Sequence, residues 1–184
     1  MANLIMWNLV SLDGYIAGPN GELDWHEQVW GPEMAALSDE QGKSTDGLVF
    51  GRKTYDLMAG YWPNAGDEPA DTAAYMNDTP KYVFSRTLKS ANWTNSTLMS
   101  GDAAAQVRAL KAKNAKDLFV FGSADLSAQL LPHGLFDEIR IAIGPLLLGD
   151  GVRLFRPMDK RMGFKLRKST PMASGGMILF YDPV

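Results

Sequence analysis

The chain has 184 residues, a formal net charge of -3, 46% hydrophobic and 21% charged residues. That is the size of one domain with its own core, and its balance is too acidic for a protein that grips nucleic acid through phosphates. The absence of cysteine and the presence of only two histidines exclude disulfides, thiolate metal sites, a cysteine nucleophile and a histidine-rich metal site.

In chain order, Asn3 to Val10 is an apolar run with β-formers that ends in Ser-Leu-Asp-Gly, and it predicts a first strand. Gly31-Pro32-Glu33 opens a helix reaching about Lys43, with proline early and a carboxylate in the first turn. Asp46 to Phe50 is a short buried strand closed by Gly51, and Arg52 to Met58 starts a helix directly after it. Tyr61 to Asp71 reads as a loop, and Lys81 to Ser85 as a strand. Asp102 can cap a helix running through Val107, Leu110 and Asn114. Leu118 to Phe121 is a strand closed by Gly122, followed by a helix from Ala124 to Leu131 that Pro132 stops. Glu138 to Ile143, Phe164 to Lys168 and Met177 to Tyr181 are strand-like with no helix between them.

Alternating strands and helices imply a largely parallel sheet. The late strands imply antiparallel additions at one side. The predicted fold is an α/β three-layer sandwich with a mixed sheet of about eight strands, forming one domain over residues 1–184. No apolar run is long enough to span a membrane. The first residues lack the basic and apolar regions of a signal peptide, so a cytoplasmic location is expected. The basic cluster Arg156, Lys160, Arg161, Lys165, Arg167 and Lys168 reads as a solvated surface.

Three strands end in glycine or a small polar residue and lead into a helix or turn. They are Phe50-Gly51-Arg52-Lys53-Thr54, Phe84-Ser85-Arg86-Thr87 and Phe121-Gly122-Ser123-Ala124. Ligands of open α/β sheets bind at such carboxyl ends. Glycine lets the backbone approach a phosphate, helix N-termini offer free N–H groups, and Arg52 and Arg86 can fork phosphate oxygens.

Ser11-Leu12-Asp13-Gly14-Tyr15-Ile16-Ala17-Gly18, Gly51-Arg52-Lys53-Thr54-Tyr55 and Val83-Phe84-Ser85-Arg86-Thr87-Leu88 resemble the dihydrofolate-reductase-like superfamily. Leu135-Phe136-Asp137-Glu138-Ile139-Arg140, then Gly144-Pro145-Leu146-Leu147-Leu148-Gly149-Asp150-Gly151 and Leu154-Phe155, are similar to the reductase domain of bacterial riboflavin-biosynthesis deaminase-reductases. The chain carries no deaminase domain with its zinc ligands, so it resembles a stand-alone member.

The resemblance implies NADPH as cofactor, held by Gly51, Arg52, Lys53 and Thr54 and by Ser85, Arg86 and Thr87, with the pyrophosphate at Gly122, Ser123 and Ala124. That branch usually has two glycines where this chain has Gly122-Ser123, which puts a side chain beside the expected phosphate. The implied activity is reduction of a small heterocyclic or ribitylated substrate, similar to 5-amino-6-(5-phosphoribosylamino)uracil reductase. Two rivals stay open: dihydrofolate reduction, for which Glu33 and Asp39 are the nearest acids in the helix after the first strand, and a non-catalytic nucleotide-binding protein.

Hydride transfer also needs a proton. Asp13 is the candidate catalytic residue, against the alternative of a turn carboxylate bonding its own backbone. Asp24, Trp25 and His26 can bring an acid, an aromatic wall and an imidazole to a substrate, and Trp62 can wall the pocket. The alternatives are an exposed His26 and core roles for Trp25 and Trp62. The expected partners are a small-molecule substrate and a second copy of the chain, with no nucleic acid, membrane or metal.

Overall fold

The computed structural model describes residues 1–184. β1 (Leu4–Ser11) supplies the central strand of the sheet, buried along nearly its whole length. Around it lie β3 (Thr45–Gly51), β4 (Lys81–Phe84), β5 (Ser96–Met99), β6 (Asp117–Phe121), β7 (Glu138–Gly144), β9 (Phe164–Pro171) and β10 (Met177–Pro183). Their order across the eight-stranded sheet is β5-β4-β3-β6-β1-β7-β10-β9. Two further short strands, β2 (Tyr15–Ala17) and β8 (Val152–Arg153), pair in a separate ribbon.

Apolar stripes bring helices onto both faces. Met34 and Leu37 of α1 (Pro32–Ser44), Tyr55 of α2 (Arg52–Tyr61) and Met76 of α3 (Ala70–Asp78) pack with Ile5, Trp7, Phe50 and Phe119. On the other face, Val107 and Leu110 of α4 (Ala103–Lys113) and Leu126 and Leu130 of α5 (Ala124–Leu130) pack with Leu4, Met6 and Val10. Alternation along β1 makes this division: odd positions face α1–α3 and even positions face α4 and α5. The Asp102 carboxylate caps α4 as its sequence position predicts, accepting from Ala104 and Ala105 N–H.

The chain builds outward through β3, β4 and β5, then returns through α4 so that β6 inserts between β3 and β1. β7 takes the other side of β1, parallel to it. This reversal of direction is where open α/β sheets form ligand crevices. β6 stops at Phe121, opposite Trp7. β1 continues to Ser11 along β7 alone. Past Trp7, the β6-side edge of β1 is therefore bare, and the sheet has a notch.

Several elements differ from the sequence expectation. Of the three late strands, Glu138–Gly144 is parallel to β1, because α5 makes a crossover of ordinary length before it. β10 alone runs against the rest, pairing antiparallel with both β7 and β9. The expected loop from Tyr61 to Asp71 is shorter, since α3 begins at Ala70 directly after Pro69. β2, β5 and β8 are too short to carry a periodic pattern. The outer strand β9 exposes Lys165, Arg167 and Lys168 along the free sheet edge, so half of the basic cluster guards an edge that could otherwise recruit another strand.

Candidate functional site

One cavity of about 870 Å³ occupies the notch and the carboxyl ends of β3, β4 and β6. It straddles the sheet: Trp7 and Leu9 face it from one side and Asn8 from the other.

At its polar end, Gly51 is the N-cap of α2 and carries no side-chain cap. The first N–H groups of α2 therefore remain open to an anion. Gly122 has a φ of +53°, and a Cβ there would stand 3.1 Å from Thr54 Oγ1. A side chain at this position would be strained and would crowd Thr54, so glycine is favoured. Ser123 follows in the left-handed region at φ 55°, a conformation costly for an L side chain. Two hydrogen bonds hold it there. Its Oγ accepts from Gly51 N–H at 2.8 Å, and its N–H donates to Thr54 Oγ1 at 3.0 Å. The expectation that Ser123 holds the pyrophosphate, with its side chain beside it, is thus corrected: its N–H and its hydroxyl are both spent joining the β6–α5 turn to the β3–α2 turn. Ala124 is buried in the first turn of α5 and lines the cavity.

Cations gather at the same end. Arg52, Lys53 and Arg86 are exposed and line the cavity. Arg52 is steadied by Asp56 at 3.3 Å and by donation to Thr87 Oγ1 at 2.9 Å. Ser85 Oγ accepts from Thr87 and Leu88 N–H, at 3.2 and 2.9 Å. Ser85 thereby makes a tight turn that projects Arg86 toward the cavity. Thr87 and Ser85 thus position the two arginines. Arg156, from beyond β8, pairs with Asp125 at 2.9 Å.

The other end runs down between the sheet and α1–α3. Met34, Ser38 and Gln41 form one row on α1, with Met58 and Trp62 from α2 and its extension, and Tyr75 from α3. Two buried side chains on the cavity wall lack partners, Gln41 at this end and Asn8 at the notch on the opposite side of β1. Asn8 is 3% exposed with both amide atoms unpaired, and Gln41 is 2% exposed with Nε2 unpaired. Buried amides normally find partners, so these are candidate ligand contacts. Burial pushes the Tyr75 phenol up to about 12, against the opposing pull of Thr45 and Arg140. Burial also pushes the His26 imidazole down to about 4, against the Ile16 backbone and the Asp24 carboxylate, and its Nε2 has no partner. His26 is therefore neutral at physiological pH.

Of the predicted substrate-side residues, His26 and Trp62 line the cavity, whereas Asp13, Asp24 and Trp25 do not. Asp24 is exposed. Trp25 is a core residue packed with Val29 and Leu37, its ring edge-on to His26 at 4.4 Å. Asp13 accepts from Ser11 Oγ at 2.6 Å, Leu148 N–H at 3.1 Å and Gly149 N–H at 2.7 Å. The Ser11 bond, with smaller help from the two backbone amides, draws its carboxyl down to about 2 against partial desolvation. Such a group stays ionised and cannot donate a proton at neutral pH. Asp13 fastens the β1–β2 turn to the loop after β7, and the catalytic expectation for it is corrected accordingly. The only carboxylates on the cavity wall are Asp56 and Asp125, both exposed and both ion-paired.

Sequence reasoning passed over Asn8 and Gln41. Their signal was polarity out of place: an amide inside the apolar run of β1, and another continuing the Met34–Leu37 inner face of α1 one turn on.

The chain is similar to the Bacillus subtilis (strain 168) protein YyaP, with 32% identity over 94% of this chain and 90% of that one. Among solved structures it resembles a protein of Shewanella sp. PV-4 assigned to riboflavin biosynthesis, at 29% identity and a TM-score of 0.80 over 100% of this chain and 99% of that chain. It shares its fold with dihydrofolate reductase from Enterococcus faecalis, solved as a complex with NADP(H), at 16% identity and a TM-score of 0.66 over 98% and 96% of the two chains. The RibD C-terminal domain family matches residues 2–178, and the chain belongs to that family of reductases, on the dihydrofolate-reductase-like fold.

Proposed function

We propose that the protein is an NADPH-dependent reductase of a small heterocyclic substrate. The observation that carries this reading is the single cavity whose two ends differ in chemistry. One end offers an open helix N-terminus with Arg52, Lys53 and Arg86; the other offers aromatic and thioether walls with the unpaired buried amide of Gln41.

The residues present fit the cofactor. Arg52 and Arg86, set by Thr87 and Ser85, suit a terminal phosphate of the nucleotide. The first turn of α2 and the Gly122 backbone suit the pyrophosphate. The Asn8 amide, with donor and acceptor both free at the notch, can pair with a carboxamide that carries one of each. Bound there, NADPH supplies a hydride.

The protein's own part is to bind, orient and exclude water. Trp7, Phe121 and Met34 make a low-dielectric wall against which a planar ring can lie. With no carboxylate at the deep end, the proton that accompanies hydride comes from solvent. Neutral His26 can orient that water at Nε2, in an acceptor tautomer. The test is titration with NADPH and NADH by cofactor fluorescence. Saturable binding that favours NADPH supports the reading, and failure of both to bind overturns it.

A further inference from the structure

Charge is distributed unevenly along the cavity. Its four wall cations, Arg52, Lys53, Arg86 and Arg156, all belong to the nucleotide end. The deep end has none: Trp7, Met34, Ser38, Gln41, Tyr75 and Phe121 are all uncharged. Arg140, whose charge reaches Tyr75, stays off the wall. It is bonded to Glu138 at 2.8 Å and lies over Phe119 and Phe180, at 5.4 and 4.9 Å from their ring centres.

The flank of this end is acidic. Tyr61 packs edge-on against Trp62 at 5.2 Å and bonds Glu68 at 2.5 Å. That bond, then desolvation, then the fields of Glu68, Asp67 and Glu27 hold the Tyr61 phenol above its ordinary range. A phosphate ester at this end would lie beside these carboxylates' field and against apolar side chains without a cation, which is unfavourable. Exposed Trp30 and Leu57 extend the apolar lining toward solvent. The polar atoms left unpaired inside are those of neutral groups: the Gln41 amide, Asn8 and the His26 ring.

We propose that the site accepts a flat, uncharged, phosphate-free ring bearing a carbonyl or imine, gripped between Trp and Met side chains and read at its carbonyl oxygen by the Gln41 amide. This rests on the NADPH-reductase reading. In the reaction, the ring's C=O or C=N carbon gains a hydride and its heteroatom gains a proton from water, whose hydroxide returns to bulk solvent. The two electrons come from NADPH, which becomes NADP⁺. The chain therefore departs from a reductase whose substrate carries a phosphorylated ribose.

The experiment uses the full chain saturated with NADP⁺, so that no turnover occurs, and reads quenching of intrinsic tryptophan fluorescence, to which the wall residues Trp7, Trp30 and Trp62 contribute. The probes are 5-amino-6-ribitylaminouracil and its 5′-phosphate, which share a ring and differ by one anion. The phosphate-free probe is expected to bind at least about tenfold more tightly, the scale of one mismatched charge contact. Leu57→Lys, at an exposed wall position, should narrow that gap by about tenfold through the phosphorylated probe. Equal or tighter binding of the phosphate by the wild-type protein overturns the proposal, and so does absence of quenching by both probes at millimolar concentration. A prior NADPH titration separates the two readings: if the cofactor binds and the phosphate is preferred, only the substrate class is wrong; if the cofactor does not bind, the reductase reading itself falls.

Discussion

The hydroxyl of Ser123 accepts the backbone N–H of Gly51 across 72 residues of sequence, at 2.8 Å. Two turns at the polar end of the cavity are thereby one mechanical unit, and Ser123 stays left-handed to make it so. Ser123→Ala keeps the backbone strain and strands the Gly51 N–H. It should cost about 1–3 kcal/mol. Ser123→Gly also loses the bond but relieves roughly 1 kcal/mol of strain, so it should be the milder change. Urea unfolding of both variants measures the difference. A Ser123→Ala protein as stable as wild type would show that the latch contributes nothing.

Arg86 is held toward the cavity by the Ser85 turn and has no carboxylate partner. Arg86→Ala should weaken NADPH about ten- to a hundredfold, the equivalent of ~1.5–3 kcal/mol for a charge-assisted hydrogen bond. NADH should be nearly unaffected. Equal losses for the two cofactors would place Arg86 away from the extra phosphate.

Asp13→Asn should cost stability and spare chemistry. Its folded carboxyl is drawn down to about 2 from an ordinary 3.8. A depressed acid contributes stability above its unfolded pKa and loses it as pH falls through the folded one. The contribution should therefore be full above about pH 4 and fade toward pH 2. Asp13→Asn should have a lower melting temperature at pH 7 and a flatter acid limb, with NADPH affinity kept. A variant with wild-type stability and abolished turnover would restore Asp13 as a catalytic residue.

His26 gives the complementary signature. Its folded pKa is about 4 against an ordinary 6.5. Between those values the unfolded chain binds the extra proton, so stability rises with pH across that window and is lost on acidification. The loss can reach about 3 kcal/mol at roughly 1.4 kcal/mol per unit. His26→Phe should remove this slope in denaturation midpoints between pH 6.5 and 4. An unchanged slope would mean that His26 is solvated.

A second apolar hollow of about 290 Å³ lies over the β7–β10–β9 side of the sheet, lined by Ile139, Phe155, Met158 and Phe164 among others, all hydrophobic. Phe155 and Met158 are each about 40% exposed. A surface of this kind is covered in most proteins, and a symmetric homodimer is the expected cover. Light scattering should give twice 20.2 kDa, and Phe155→Glu should halve the mass. A wild-type mass near 20.2 kDa would exclude the dimer.

The strand-to-helix junctions were legible because glycine, proline and apolar runs speak locally. Gly51, Gly122 and Pro32 mark real boundaries. β5 was not legible: Ser96–Met99 is four residues long and at most half-buried at the sheet edge, so packing rather than pattern makes it a strand. Asp13 misled for a related reason. Asp-Gly announces a turn, but the amides of Leu148 and Gly149 that occupy its carboxylate come from a loop 135 and 136 positions away. Asn8 and Gln41 look like lapses in an apolar pattern until the cavity shows what they face. Lys81 is a similar lapse with a different outcome: fully buried, it donates to the carbonyls of Asn77, Thr79 and Thr94 and closes the end of α3.

The row Met34, Ser38 and Gln41 rides on a single helix, whereas the groups at the polar end sit on turns tied together by Ser123. Heredity can therefore edit the two ends separately. A codon change on the inner face of α1 reshapes the deep end of the cavity without disturbing Gly51, Gly122 or the arginines. The two ends are thus separable in construction: a change at one leaves the geometry of the other in place.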